Sequence, residues 1–149
     1  VLTQFNYSTD TFHLMPIEEP HMKKNYYLLV GGLLNLFTAG LHTFAGHADH
    51  LTPVLNSSMA ILDQTVLLAV WHMVSLTMLM SCYPALKMGW NTAHDQYKTL
   101  LYFLGILYIG FGLVFIGSSI YLGFHAPQWV LLIPIGILYL IGLKRNQTL

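Results

Sequence analysis

Charged residues and cysteine are both scarce in this 149-residue chain. Only 8% of the residues are charged, six Lys/Arg against six Asp/Glu, and the formal net charge is zero. An ordinary soluble domain carries about 25% charged residues, so this composition argues against one. So few basic residues cannot follow a phosphate backbone, and we expect no nucleic-acid partner. The single cysteine, Cys82, excludes an intrachain disulfide and a cysteine-rich metal site.

Apolar residues dominate instead, at 55% of the chain, with a mean hydropathy of +0.58. A helix needs about 20 such residues to cross a hydrocarbon layer of roughly 30 Å. Four stretches are candidates, at about residues 27–46, 65–84, 100–124 and 129–143. The pattern predicts an all-α integral membrane protein, a four-helix transmembrane bundle in contact with the lipid bilayer.

The basic residues predict how this bundle is oriented. They fall at three places: Lys23 and Lys24 before the first span, Lys87 and Lys98 between the second and third, and Lys144 and Arg145 after the fourth. With four spans, all three places lie on one side of the membrane. Because cytoplasmic loops are enriched in Lys and Arg, both termini and the middle loop are predicted to be cytoplasmic. We expect a bacterial inner (cytoplasmic) membrane.

The first 21 residues differ in kind from the rest. They contain two prolines, three acidic residues and no apolar run. Met22, followed by a lysine pair, resembles a second beginning, and we take it as a natural or alternative start. Residues 1–21 are therefore predicted to be a polar tail or a stretch outside the native chain, and residues 22–149 the membrane domain.

Two histidines are predicted to lie inside the membrane at matching depth. At about 1.5 Å per residue, His42 lies some 9 Å and His72 about 10 Å below the outer boundary. Asn35 shares a helix face with His42. Buried polar groups in lipid need partners, and neutral imidazole binds zinc, copper, iron and haem. The sequence therefore suggests a metal or haem b site at His42, His72 and Asn35; the alternative is histidines that only tie helices together.

A second polar group is predicted at the outer membrane edge. It comprises His47, Asp49 and His50 after the first span, and His125 between the third and fourth. Three imidazoles and a carboxylate suit zinc or copper(II) if they converge. The alternative is loop residues that face water. Because an imidazole at the water boundary needs no partner, we predict that the inner pair is functional and this outer group dispensable.

Three functions are compatible with these features. The first is a membrane protein that binds a transition metal or haem for electron transfer or oxidative chemistry. The second is a non-catalytic accessory subunit of a larger membrane complex, with structural histidines. The third is a metal or small-solute carrier that acts as a homo-oligomer, against which the lack of intramembrane carboxylates counts. No pattern identifies a catalytic residue, a substrate or a redox partner.

Overall fold

A computed structural model describes residues 24–92 and 95–146, and this part of the chain is helical, with no strand. The predicted tail, residues 1–21, and His94 lie outside the described residues. The helices are α1 (Tyr26–Leu41), a π-helical segment (His42–Leu51), α2 (Thr52–Leu55), α3 (Ile61–Trp90), a 3-10 turn (Asp95–Tyr97), α4 (Lys98–Leu122) and α5 (Trp129–Asn146).

Three helical segments of the described chain are long and apolar enough to cross a membrane. They are Tyr26–Leu55, Ile61–Trp90 and Asp95–Leu122. The fourth predicted span forms α5, a helix of 18 residues that contains Pro134. The prediction of an all-helical protein with membrane-spanning helices is therefore confirmed in its coarse form.

The first helical segment continues well beyond the apolar run that predicted it. The first predicted span ends near residue 46, but helical backbone continues to Leu55, so His47, Asp49 and His50 lie on a helical segment. Backbone hydrogen bonds hold a helix together whether lipid or water surrounds it. Leu51, within this extension, is only 1% exposed. The connection to α3 is consequently short.

α1 lies between two neighbours, because it packs against α3 on one side and α5 on the other. α4 packs mainly on α5 and touches α3 much less. One end of the bundle is joined by Asn25, whose side chain caps α1 by accepting from the Leu28 N–H. The Asn25 backbone N–H donates to the Gly89 carbonyl (2.8 Å), and its Nδ2 donates to the Gly142 carbonyl (2.7 Å). Lys24, Lys87 and Lys144 lie at this end of the bundle, and we call it the lysine end. We call the opposite end, with His42, His47 and His72, the histidine end.

A close helix contact joins the backbones of α4 and α5 through two glycines. A Cβ placed on Gly136 would lie 2.5 Å from the Gly105 carbonyl oxygen. The two backbones meet only because neither glycine has a side chain, as expected for helix packing in membranes. Gly110 and Gly117, also on α4, face open space. The small residues of α4 thus contribute to internal packing at some positions and not at others.

Four polar side chains form a buried network across the four long helices. Asn35 Nδ2 donates to Ser81 Oγ (2.8 Å) and to Tyr139 Oη (3.0 Å), while Asn35 Oδ1 accepts from Tyr108 Oη (2.8 Å). Ser81 Oγ and Tyr108 Oη are also within hydrogen-bond distance of each other (2.6 Å). Every member is bonded, so the network ties the helices together without leaving an unsatisfied polar group.

Candidate metal site at the histidine end

The π-helical segment changes which residues of the HTFAGHADHL stretch share a face. Its hydrogen bonds run from each residue to the fifth residue along, so residues five apart lie nearly above one another. His42 and His47 have that spacing. In an α-helix these two side chains would diverge. π-Helical turns are rare and often lie at functional sites, which directs attention to this segment.

The first histidine of the segment stacks on a tryptophan of α3. The rings of His42 and Trp71 lie 4.2 Å apart between centroids, with 13° between their planes. His42 Nε2 is 3.4 Å from the Trp71 carbonyl oxygen, which also accepts from Ser75 Oγ (3.1 Å). His42 is therefore half-buried and held between its own helix and α3.

The second histidine of the segment meets His72, the residue after Trp71. The His47 and His72 ring centroids are 5.6 Å apart, with the ring planes tilted by 36°. His72 is exposed and His47 half-buried, so the pair lies at the surface of the bundle. Two consecutive residues of α3 thus face two residues of the π-helical segment, one ring against one ring in each case.

Trp71 fits closely against the backbone of the π-helical segment. A Cβ on Gly46 would lie 2.8 Å from Trp71 Cζ2, so the indole rests where a side chain would otherwise stand. The indole Nε1 is buried and has no hydrogen-bond partner among the described residues, and the same holds for Thr43 Oγ1. Buried donors without partners are costly, and each calls for an explanation such as a bound group or water.

The remaining predicted site residues are not gathered around this pair. Asn35 is fully buried, and its amide is occupied by the polar network. Asp49, His50 and His125 are exposed. Within the described ranges, no group of three or more His, Cys, Asp or Glu side chains is arranged to hold a metal ion. The described residues therefore provide ring pairs and not a complete ligand set, and the predicted roles of all these residues stay predictions.

Sequence reasoning missed Trp71 as a member of this site, although its ring stacks on His42 and lies against Gly46. Trp71 directly precedes His72, a predicted ligand, and that position was the one signal that could have identified it. The comparisons with protein families, with curated proteins and with solved structures give no match to this chain.

Proposed function

We propose that the protein binds a transition-metal ion at the histidine end of the bundle, with His47 and His72 as ligands. The observation that carries the proposal is the 5.6 Å separation of the two ring centroids on adjacent helices. Metal–nitrogen bonds of about 2.0–2.1 Å place the centres of two imidazoles on one ion about 5–6 Å apart. Imidazole ligands suit zinc, copper, iron and nickel.

The rest of the coordination shell would come from water or from a group outside the described residues. The buried indole N–H of Trp71, the residue before His72, has no partner among the described residues and supports this part of the proposal, since a buried donor calls for an acceptor. With copper or iron, a site of this kind suits electron transfer or oxidative chemistry; with zinc it suits a structural or Lewis-acid role.

An ion fits this position better than haem b bound between the two rings. The π-helical segment and α3 touch directly where Trp71 lies against Gly46. A macrocycle inserted between His47 and His72 would have to separate the helices at this contact. The predicted ligand pair, His42 and His72, is the alternative within the same function, although stacking on Trp71 holds the His42 ring.

Metal binding by single variants tests the proposal. We expect the purified protein in detergent to bind one Zn²⁺ or Cu²⁺ per chain, measured by titration and by metal analysis. His47→Ala and His72→Ala should each weaken binding at least ten-fold, because each removes a ligand. His50→Ala is the matched control, an exposed histidine of the same segment, and should leave the affinity unchanged.

The same series discriminates between the alternatives. If His42→Ala and His72→Ala lose metal binding while His47→Ala retains it, the site belongs to the pair predicted from the sequence, His42 and His72. Equal affinity in all four variants would refute a histidine metal site. A Soret band in protein purified from native membranes would identify haem b instead of an ion.

The accessory-subunit function is the second candidate, and a specific observation favours it. The apolar side chains at the histidine end of α4 are strongly exposed, with Ile120 at 77% and Tyr121 at 88%. Either lipid or another membrane protein would cover them. Under this function, the native protein would migrate in a mild detergent as part of a larger complex, and metal would be absent.

We further propose four spans with both termini in the cytoplasm, in a bacterial inner membrane. The support is the position of the lysine end, because Asn25 brings the start of α1 beside the ends of α3 and α5. In a Cys82→Ala background, a cysteine at position 146 should react with a membrane-impermeant thiol reagent only after the cells are opened. A cysteine at position 56 should react in intact cells, and the reverse pattern would invert the orientation.

A further inference from the structure

Trp71 holds the two elements that carry His47 and His72 at a defined spacing. Its ring stacks on that of His42, with 4.2 Å between the centroids and 13° between the planes. It also lies where a side chain of Gly46 would stand, since a Cβ there would be 2.8 Å from Trp71 Cζ2. We call these contacts the tryptophan clamp. Because Trp71 directly precedes His72 and Gly46 directly precedes His47, the clamp restricts how far apart the two imidazoles can move.

The spacing of two imidazoles on one ion depends on the angle that their nitrogens make at the ion. With metal–nitrogen bonds of about 2.0–2.1 Å, each ring centre lies about 3.2 Å from the ion. The two centres are then about 4.5 Å apart at a right angle, about 5.2 Å at the tetrahedral angle and about 6.4 Å when the ligands stand opposite each other. The observed separation of the His47 and His72 centroids is 5.6 Å, which is nearest to the tetrahedral value.

We infer that the histidine pair, His47 and His72, selects a tetrahedral ion, and therefore zinc, over ions that prefer octahedral or square-planar coordination. This selection presupposes the proposed metal site and narrows the class of ion that it holds. Octahedral and square-planar ions place their ligands at right angles or opposite each other, whereas zinc is four-coordinate and tetrahedral in most structural sites. The ligands are nitrogens, which favours zinc over copper(I), the soft ion that thiolates and thioethers select.

Zinc at this position also narrows the chemistry of the site. Zn²⁺ has no redox chemistry, so a structural or a Lewis-acid role takes precedence over electron transfer. The histidine pair supplies two of the four ligand positions. Because His72 is exposed, the other two positions are accessible to water or to a further ligand.

Competition among cobalt(II), nickel(II) and zinc(II) for the full chain in a neutral detergent tests this inference. At an unconstrained nitrogen site nickel(II) binds more tightly than cobalt(II), in the usual order of divalent ions. We expect the histidine pair to reverse that order, with cobalt(II) bound at least about five-fold more tightly than nickel(II), and zinc(II) more tightly than either. The cobalt(II) protein should also show the intense visible absorption of a tetrahedral ion, because an octahedral complex with an inversion centre absorbs only weakly.

Variants of the tryptophan clamp test whether the spacing decides the selection. Trp71→Ala keeps both histidines but removes the stacked ring, so cobalt(II) should lose its advantage over nickel(II). Trp71→Phe retains an aromatic ring against His42 and should retain most of that advantage. Phe44→Ala is the matched control, because it removes an aromatic ring of the π-helical segment that is 78% exposed, and it should leave the preference unchanged. Gel filtration of each variant verifies folding.

The possible failures are distinguishable from one another. Tighter binding of nickel(II) than of cobalt(II), or a weak octahedral spectrum of bound cobalt(II), would overturn the selection of a tetrahedral ion and leave the metal site itself in place. An unchanged preference in Trp71→Ala would overturn the role of the tryptophan clamp. If none of the three ions binds, the proposed metal site is refuted, and the selection of zinc with it.

Discussion

Asn35→Ala is expected to lower the free energy of unfolding by about 2–4 kcal/mol, more than any other single polar substitution in the bundle. Asn35 is 0% exposed and bonds to Ser81, Tyr108 and Tyr139. Removing its amide deletes three hydrogen bonds. The three partners then remain buried between helices, and they can satisfy one another only in part.

Reversible unfolding in mixed detergent micelles would measure this loss. Thr77→Ala is the matched control, since it removes an exposed hydroxyl of α3 that bonds only within its own helix, to the Met73 carbonyl (2.8 Å). We expect Thr77→Ala to change the free energy of unfolding by less than about 0.5 kcal/mol. Equal effects in the two variants would show that the polar network does not hold the helices together.

Tyr139→Phe distinguishes the loss of a hydrogen bond of the polar network from the effect of the cavity that Asn35→Ala leaves. The phenylalanine keeps the ring, which meets Tyr108 edge to face at 6.0 Å, and removes only the hydroxyl. If Asn35 and Tyr139 act through their bond of 3.0 Å, the double variant should lose less stability than the sum of the single variants, by about 1 kcal/mol. Strict additivity would contradict a shared network.

The inward-facing polar stripe could be predicted from the sequence. Asn35 and Thr38 share a helix face, and both are buried, as is Ser75 on α3. An unsatisfied polar group in lipid is costly, so such groups turn towards the protein interior, but His72, on the same face of α3 as Ser75, is exposed. The tyrosines of the network could not be predicted in the same way. Tyr108 and Tyr139 lie in apolar runs where tyrosine also serves as an ordinary lipid-facing or core residue, so spacing does not distinguish them.

The ring pairing at the histidine end differs from the pairing that the sequence suggested. Depth along ideal helices placed His42 and His72 at the same level, whereas in the structure the ring of His42 stacks on Trp71. The partner that reaches the ring of His72 is nevertheless His47. Counting at 1.5 Å per residue assumes an α-helix, but the backbone is π-helical from His42 onwards, so the count does not hold there. Hydropathy carries no signal for such a segment.

The two ends of the bundle are held in different ways. Towards the lysine end, Asn25 and the polar network fix all four long helices relative to one another. At the histidine end, Trp71 of α3 contacts His42 and Gly46 of the π-helical segment. A metal ion on His47 and His72 would add a direct link between these two elements. We therefore expect binding to stabilise the histidine end more than the rest of the protein.

Gly136→Ala is expected to lower the free energy of unfolding by about 2–3 kcal/mol, because it forces α4 and α5 apart. The new Cβ would lie 2.5 Å from the Gly105 carbonyl oxygen and 2.7 Å from Ile109 Cγ1. The carbonyl belongs to the backbone of α4 and cannot turn aside as a side chain can. The clash can therefore be relieved only if one whole helix shifts against the other.

Gly110→Ala is the matched control on α4, because a Cβ there meets nothing within 4 Å. Alanine also favours helix over glycine, so this variant should be as stable as the parent or more stable by up to about 1 kcal/mol. A shift of α5 in Gly136→Ala would also move Tyr139, one turn along, away from Asn35. The double variant Gly136→Ala, Asn35→Ala should then lose less free energy of unfolding than the sum of the losses in the two single variants. Equal stability of the Gly136 and Gly110 variants would mean that α4 and α5 do not pack through their glycines.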